Sequence, residues 1–147
     1  MSYFLPFYFG EQSMKTSELL NIDCRKEENK KLLNRFLWKV KPCAKLLDKN
    51  NYTRTETAPI ELLEQVLHGI CCKYSYGFNG LTGIHPYYEN GKFAMYDATL
   101  THKTYRDGKL ENCEWICNIY GKTLWEMVAK LIIAIYADIK KGEKENG

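Results

Sequence analysis

The amino-acid sequence predicts an α+β domain with the element order α-β-β-β-α, built on a three-stranded antiparallel β-meander. Three observations support this fold class. Two stretches in the first half of the chain place apolar side chains at helical spacing. Asn90-Gly91 and Asp107-Gly108 are dipeptides that favour the two-residue type I′ turns of β-hairpins. Thr123 and Glu126 form a capping-box pattern at the start of a last apolar-periodic segment.

The first predicted helix runs from about Lys26 to Lys41. Its apolar stripe consists of Leu32, Leu33, Phe36, Leu37 and Val40. Pro42 ends or kinks this helix, because proline cannot donate the backbone hydrogen bond that would continue it. The second predicted helix begins at Pro59, since proline suits the first turn of a helix. The third extends from the capping box to about Lys140.

The two turns also predict which residues face each other across the strands. The predicted pairs are Leu100 with Trp115, Ala98 with Cys117, Tyr96 with Ile119, Tyr87 with Ala94, and His85 with Tyr96. Side chains of opposed residues share a face of the sheet. This register therefore gathers one set of apolar side chains on a single face, which we expect to pack on the helices.

A second apolar cluster is predicted on the opposite face of the sheet. This predicted second-face patch contains Tyr88, Phe93, Met95 and Tyr120, together with Ile84, Pro86 and Ile116. A patch of that size is seldom left bare. We expect the first helix to cover it, which gives an α/β/α sandwich; a partner is the alternative.

The chain length of 147 residues fits a single domain spanning residues 1–147. It divides into an N-terminal extension (1–25), a basic helical region (26–50) and an α-β-β-β-α core (59–140). The extension opens with an aromatic stretch, and Met14 is an alternative start to Met1. Because no secretory leader precedes the six cysteines, and no apolar run has the length of a membrane span, we expect reduced thiols and a cytoplasmic location.

Positive charge is concentrated in residues 25–54, here called the basic segment. It holds ten Lys and Arg residues against three acidic ones. Trp38 lies opposite the apolar stripe of the first helix, among Lys31, Asn34 and Arg35. An exposed tryptophan among cations suits base stacking with phosphate neutralisation, or an interface hot spot. These four residues are the predicted binding site, and we expect a partner with an anionic surface.

The sequence predicts neither a metal site nor a cofactor. Cys113 and Cys117 are too far apart along one strand to share a tetrahedral zinc, and no phosphate-binding glycine loop is present. The predicted register places His102 opposite Cys113, which is the one Cys/His pair expected to touch. A thiol enzyme that uses this pair is accordingly a third hypothesis, behind two binding functions.

Residues 59–140 resemble double-stranded RNA-binding domains in their α-β-β-β-α order, with Gly83-Ile84-His85-Pro86 and Gly121-Lys122 as the local similarities. That family places a Gly-Pro-x-His loop and a lysine cluster at the start of its last helix against RNA. His85 and Lys122 are the matching positions. Trp125, Glu126 and Met127 stand where the basic cluster would be. The resemblance implies double-stranded RNA as a partner.

The chain also resembles small accessory proteins of bacteriophages or prophages from low-GC bacteria, whose last helix is often entered through Gly-x-Thr-Leu, here residues 121–124. That resemblance implies a phage-encoded inhibitor or regulator of a host system. Our leading hypothesis is thus a non-catalytic interaction protein that binds a protein or a nucleotide-like partner. The alternative is a nucleic-acid-binding module that uses the basic segment. The oligomeric state is left open, with a homodimer as one alternative.

Overall fold

The computed structural model describes residues 16–78 and 83–146, and it confirms the α+β class. The helices are α1 (Thr16–Leu19), α2 (Glu27–Leu37), α3 (Lys41–Lys49), α4 (Ile60–Tyr74) and α5 (Leu124–Asn146). The strands are β1 (Tyr76–Phe78), β2 (His85–Glu89), β3 (Lys92–Arg106) and β4 (Lys109–Gly121). The aromatic start of the predicted extension, and the choice between Met1 and Met14, lie outside the described residues.

The long strand β3 forms the centre of an antiparallel sheet of four strands. Strand β4 pairs with β3 from Tyr96 to Arg106 along one edge. Because that edge is occupied, β1 and β2 lie one after the other along the opposite edge. Strand β1 was not predicted, since three residues are too few for a detectable alternation. Ser75 ends α4 in the left-handed conformation, with φ 62°, and turns the chain into this strand.

Both predicted hairpin turns are confirmed, because Asn90, Gly91, Asp107 and Gly108 all have positive φ values between 51° and 76°. The register next to each turn is also as predicted. It fails farther along the strands, where the structure contains β-bulges. A bulge adds one unpaired residue to one strand, so all pairs beyond it shift by one position.

In the β3–β4 hairpin, Glu111 and Ile116 are the two extra residues of β4. The predicted Leu100–Trp115 pair is wrong: Leu100 pairs with Cys117, and Trp115 pairs with Thr101 on the other face. Ala98 and Tyr96 likewise pair with Ile119 and Gly121 instead of Cys117 and Ile119. Two shifts of one residue restore the predicted face, so Cys117 and Ile119 still lie on the buried side with Leu100 and Ala98.

In the β2–β3 hairpin, Ala94 is the extra residue. The predicted partners of Tyr87 and His85 are therefore wrong. Tyr87 pairs with Met95, and His85 pairs with Asp97. A single shift of one residue exchanges the two faces, and this changes the predicted second-face patch.

The helices pack around α5 on one side of the sheet. Helix α5 contacts β3 and β4, while α1, α2 and α4 pack against α5, and α3 packs against α4. The predicted α/β/α sandwich is therefore wrong, since α2 lies on α5 instead of the second face. Helix α5 can support this arrangement because its side chains from Trp125 to Ile135 are all buried.

Helix starts follow the local signals more closely than helix ends. The predicted first helix corresponds to α2 and ends earlier than predicted, at Leu37 instead of about Lys41. A separate helix, α3, begins at Lys41 with Pro42 in its first turn. Helix α4 begins directly after Pro59, and α5 follows Thr123, as predicted. Within the described ranges, no helix has both the length and the apolar character to cross a membrane.

Candidate functional site

The four residues of the predicted binding site occupy different environments. Lys31 and Arg35 are exposed on α2. Asn34 is only 2% exposed. Its side-chain amide donates a hydrogen bond to the carbonyl of Glu56 at 2.8 Å, and its oxygen accepts one from the amide of Ala58 at 3.0 Å. Asn34 therefore holds the connector before α4 against α2.

Trp38, at the end of α2, is half-buried and packs against the hydrophobic core. Its indole nitrogen is buried and has no hydrogen-bond partner among the described residues. The guanidinium of Arg54 lies 5.9 Å from the centre of the indole ring, within the range of a cation–π contact. The ring is thus engaged by the protein on two sides and is a less open stacking surface than its position on the helix predicted.

A cationic cleft remains beside these residues, and we call it the α2 cleft. It has a volume of about 400 Å³ and is lined by Lys31, Arg35 and Arg54, with Glu28 as its one acidic residue. Arg54 comes from the connector after α3, which Asn34 and Trp38 both contact. Of the four predicted residues, Lys31, Asn34 and Arg35 line this cleft, and Arg54 adds a third cation to it.

A larger cationic cleft, which the sequence did not reveal, lies between α3, α4 and α5. This lysine groove has a volume of about 510 Å³. Its residues are Lys41 and Lys45 from α3, Lys73 and Tyr74 from α4, Tyr136, Lys140 and Glu143 from α5, and the apolar Val40, Pro42, Ile70 and Ile139. The ammonium groups of Lys73 and Lys140 each lie 5.3 Å from a tyrosine ring, Tyr74 and Tyr136 respectively.

A third cleft, of about 620 Å³, contains Arg25, Lys92 and Lys122. Two of these cations already have partners. Arg25 pairs with Asp23 at 2.8 Å, and the hydrogen bonds from Arg25 lower the pKa of that carboxyl to about 2. The ammonium of Lys122 donates to the carbonyl of Ala94 at 2.7 Å. Lys122, one of the two positions that match RNA-binding domains, therefore has a structural contact here.

The bulge at Ala94 divides the predicted second-face patch. The ring of Phe93 lies 6.1 Å from that of Tyr88 and 4.8 Å from that of Tyr96. Tyr96 alternates with buried Ala98 and Leu100, so Tyr88 and Phe93 lie at the helix side of the sheet. Of Tyr88, Phe93, Met95 and Tyr120, the last two remain on the second face.

The second face also carries Trp115, which was predicted on the buried face, in addition to Tyr120, which was predicted on the second face. Trp115 and Tyr120 are 39% and 49% exposed there. Asn118 lies between them, accepting a hydrogen bond from the indole of Trp115 at 3.1 Å and donating one to the hydroxyl of Tyr120 at 3.5 Å. These bonds orient both rings.

The predicted Cys113–His102 pair does not form. His102 pairs with Glu114, and its ring lies 4.7 Å from that of Tyr76 on the helix side. Cys113 pairs with Lys103 on the opposite face. The bulge at Glu111 causes this separation, and it removes the geometric basis of the thiol-enzyme hypothesis. All six cysteines are free thiols.

One buried charged cluster was also missed. Glu126 accepts hydrogen bonds from the backbone amides of Cys24 and Lys122, the latter at 2.8 Å, and its carboxylate lies 3.3 Å from the ammonium of Lys130. Lys130 also donates to the carbonyl of Tyr120 at 2.9 Å. Glu126 therefore ties the start of the described chain to α5.

The capping box is confirmed in part. The hydroxyl of Thr123 accepts the backbone hydrogen bond of Glu126 at 3.1 Å, but the carboxylate binds the buried groups above instead of the Thr123 amide. No group of three or more His, Cys, Asp or Glu residues within the described ranges is arranged to hold a metal ion.

Comparisons of this chain with protein-family models, with curated proteins and with solved structures find no match. The resemblances to RNA-binding domains and to phage accessory proteins therefore stay predictions. Function must be inferred from the cationic clefts themselves.

Proposed function

We propose that this protein is a non-catalytic interaction protein and that nucleic acid is its partner. The proposal rests on the exposure of the cations of the basic segment and on their lack of ion pairs. Of its ten Lys and Arg residues all but Lys30 are exposed, and Arg25 alone forms an ion pair with a described residue. The other eight cations are therefore held at the surface without an ion pair to a described residue.

Uncompensated surface cations are expected to attract an external polyanion. Mutual repulsion destabilises a cluster of like charges, so such clusters are favourable mainly where a partner neutralises them. Each phosphate that a lysine or arginine contacts releases condensed counterions, and this release drives the binding of nucleic acids. The α2 cleft and the lysine groove provide seven cations from separate parts of the chain for such contacts.

Charge reversal in each cleft tests the proposal. The variants are Lys31→Glu with Arg35→Glu in the α2 cleft, and Lys41→Glu with Lys45→Glu in the lysine groove. A matched control is Arg106→Glu with Lys109→Glu at the tip of the β3–β4 hairpin, which changes the net charge by the same amount. Binding of labelled oligonucleotides is followed by fluorescence anisotropy over a range of salt concentrations, and thermal melts verify folding.

We expect at least one cleft variant to lose affinity about tenfold or more, and the control to lose much less. The slope of log affinity against log salt should become shallower by about 1.5 in that variant, because two phosphate contacts are removed. Equal losses in all three variants would mean that only net charge matters and would contradict the proposed clefts. Salt-independent binding, or no binding to any oligonucleotide, would reject nucleic acid in favour of a protein partner.

A further inference from the structure

We infer that the lysine groove binds a single-stranded segment of nucleic acid, with lysines on the phosphates and an unpaired base against the tyrosines. The inference rests on the proposed function and specifies the form of nucleic acid. It depends on two kinds of residue that line the lysine groove and do not line the α2 cleft: apolar residues and tyrosines.

The floor of the lysine groove is made by core side chains. Val40 and Ile70 are buried members of the hydrophobic core, and Ile139 packs against it. Tyr74 is 36% exposed beside them. An apolar floor makes no favourable contact with a phosphate, because a phosphate is stabilised by water or by a cation. The flat, weakly polar face of a base can cover it, and base–aromatic stacking tolerates any sequence.

Cations are placed next to this apolar surface. Lys73 and Lys140 each lie 5.3 Å from the centre of a tyrosine ring. Lys41 and Lys45, one helical turn apart on α3, line the same groove. Glu143 is the only acidic residue among the groove residues, and it pairs with Lys140 at 3.2 Å. A phosphate next to a stacked base would therefore have lysines from three helices in the same groove.

Duplex nucleic acid fits this combination poorly. Its bases are stacked on one another, and only their edges reach the grooves. A duplex would contact the lysines and leave the floor and the tyrosine rings unused. An acidic peptide would satisfy the lysines, but its carboxylates offer no planar ring for the tyrosines.

The test compares an oligo(dT) single strand with a duplex of the same length, by anisotropy at fixed salt. Tyr74→Leu removes the aromatic face and keeps an apolar side chain, whereas Tyr74→Phe keeps the ring. Tyr105→Leu, at an exposed tyrosine of the β3–β4 hairpin, is the matched control. A peptide of glutamate residues competes for the groove by charge alone.

We expect the single strand to bind more tightly than the duplex. Tyr74→Leu should weaken the single strand about tenfold or more and leave the duplex unchanged, because stacking on one base supplies that amount. Tyr74→Phe and Tyr105→Leu should retain affinity. Quenching of tyrosine emission by the single strand should be smaller in Tyr74→Leu, in which Tyr136 is the remaining tyrosine of the groove.

Three outcomes would overturn the inference alone: equal affinity for single strand and duplex, an equal effect of Tyr74→Leu on both, or displacement by the glutamate peptide at matched charge. In each of them salt-dependent binding persists, so the proposed function survives. Absence of binding to every oligonucleotide rejects the proposed function and the inference together.

Discussion

Among single residues, Glu126 has the least replaceable set of contacts. The side chains of Glu126 and Lys130 are 1% and 2% exposed, so neither charge is solvated by water. The two backbone amides on Glu126 add hydrogen bonds that a buried ion pair needs if it is to offset its desolvation. Removing one partner leaves the other charge buried and unpaired.

We predict that Glu126→Gln lowers the free energy of unfolding by about 3 kcal/mol or more. The substitution keeps the size of the side chain but replaces one carboxylate oxygen by an NH₂ group. That group is a donor and cannot accept the hydrogen bonds of the Cys24 amide, the Lys122 amide or the Lys130 ammonium. Glu143→Gln breaks an exposed pair with Lys140 and should have a far smaller effect. Urea denaturation of both variants provides the measurement. Similar midpoints for the two would show that the buried pair is not a stabilising contact.

At the scale of elements, two glycines differ in the space around them: Gly121 lies in the tightly packed bend before α5, and Gly69 lies in the middle of α4 with open space beside it. A Cβ atom at Gly121 would overlap the carboxylate of Glu126 and would lie 3.0 Å from the sulfur of Met127. A Cβ atom added at Gly69, on the exposed side of α4, would have no other atom within 4 Å. The helix is thus free to gain a side chain, whereas the bend is not.

We predict that Gly121→Ala destabilises the protein by about 1–3 kcal/mol through this overlap. Gly69→Ala should stabilise it by up to about 1 kcal/mol, because alanine loses less backbone entropy than glycine in a helix. The two changes are chemically identical, so thermal and urea unfolding compare the two environments directly. A stabilising effect at Gly121 would contradict the packing of the bend against α5.

At the scale of the whole molecule, buried thiols are distributed through the core and share one environment. Burial raises the pKa values of Cys24, Cys43 and Cys117 to about 12, and that of Cys71 to about 11. Their ordinary value is 9.0. At pH values between the ordinary pKa and the raised pKa, the thiols of the unfolded chain lose their protons, whereas those of the folded chain keep them.

We predict that stability decreases as the pH rises from about 8 to about 10 under reducing conditions, because the unfolded state then binds fewer protons than the folded state. Urea midpoints across this range measure the slope. Cys43→Val removes one buried thiol and should make the slope shallower. Exposed Cys72→Ser should leave it unchanged. If the slope is the same in both variants, groups other than the buried thiols cause the loss of stability at high pH.

The candidate site was predicted only in part, and its separate residues show why. Lys31 and Arg35 are exposed, as the helical pattern indicated. The contact of Asn34 with the connector was not predicted, because that connector follows more than twenty residues later. The lysine groove joins Lys41 to Lys140, which are distant in sequence, so no local pattern could have revealed it.

The sequence by itself determined the features that depend on a few neighbouring residues. The positive φ values of Asn-Gly and Asp-Gly specified both turns, Pro59 marked the start of α4, and Thr123 capped α5. Only the tertiary structure decided the bulges, the position of α2 on α5, and the composition of the clefts. These depend on which distant surfaces bury the most apolar area together, and that free energy is not encoded in any short stretch of the chain.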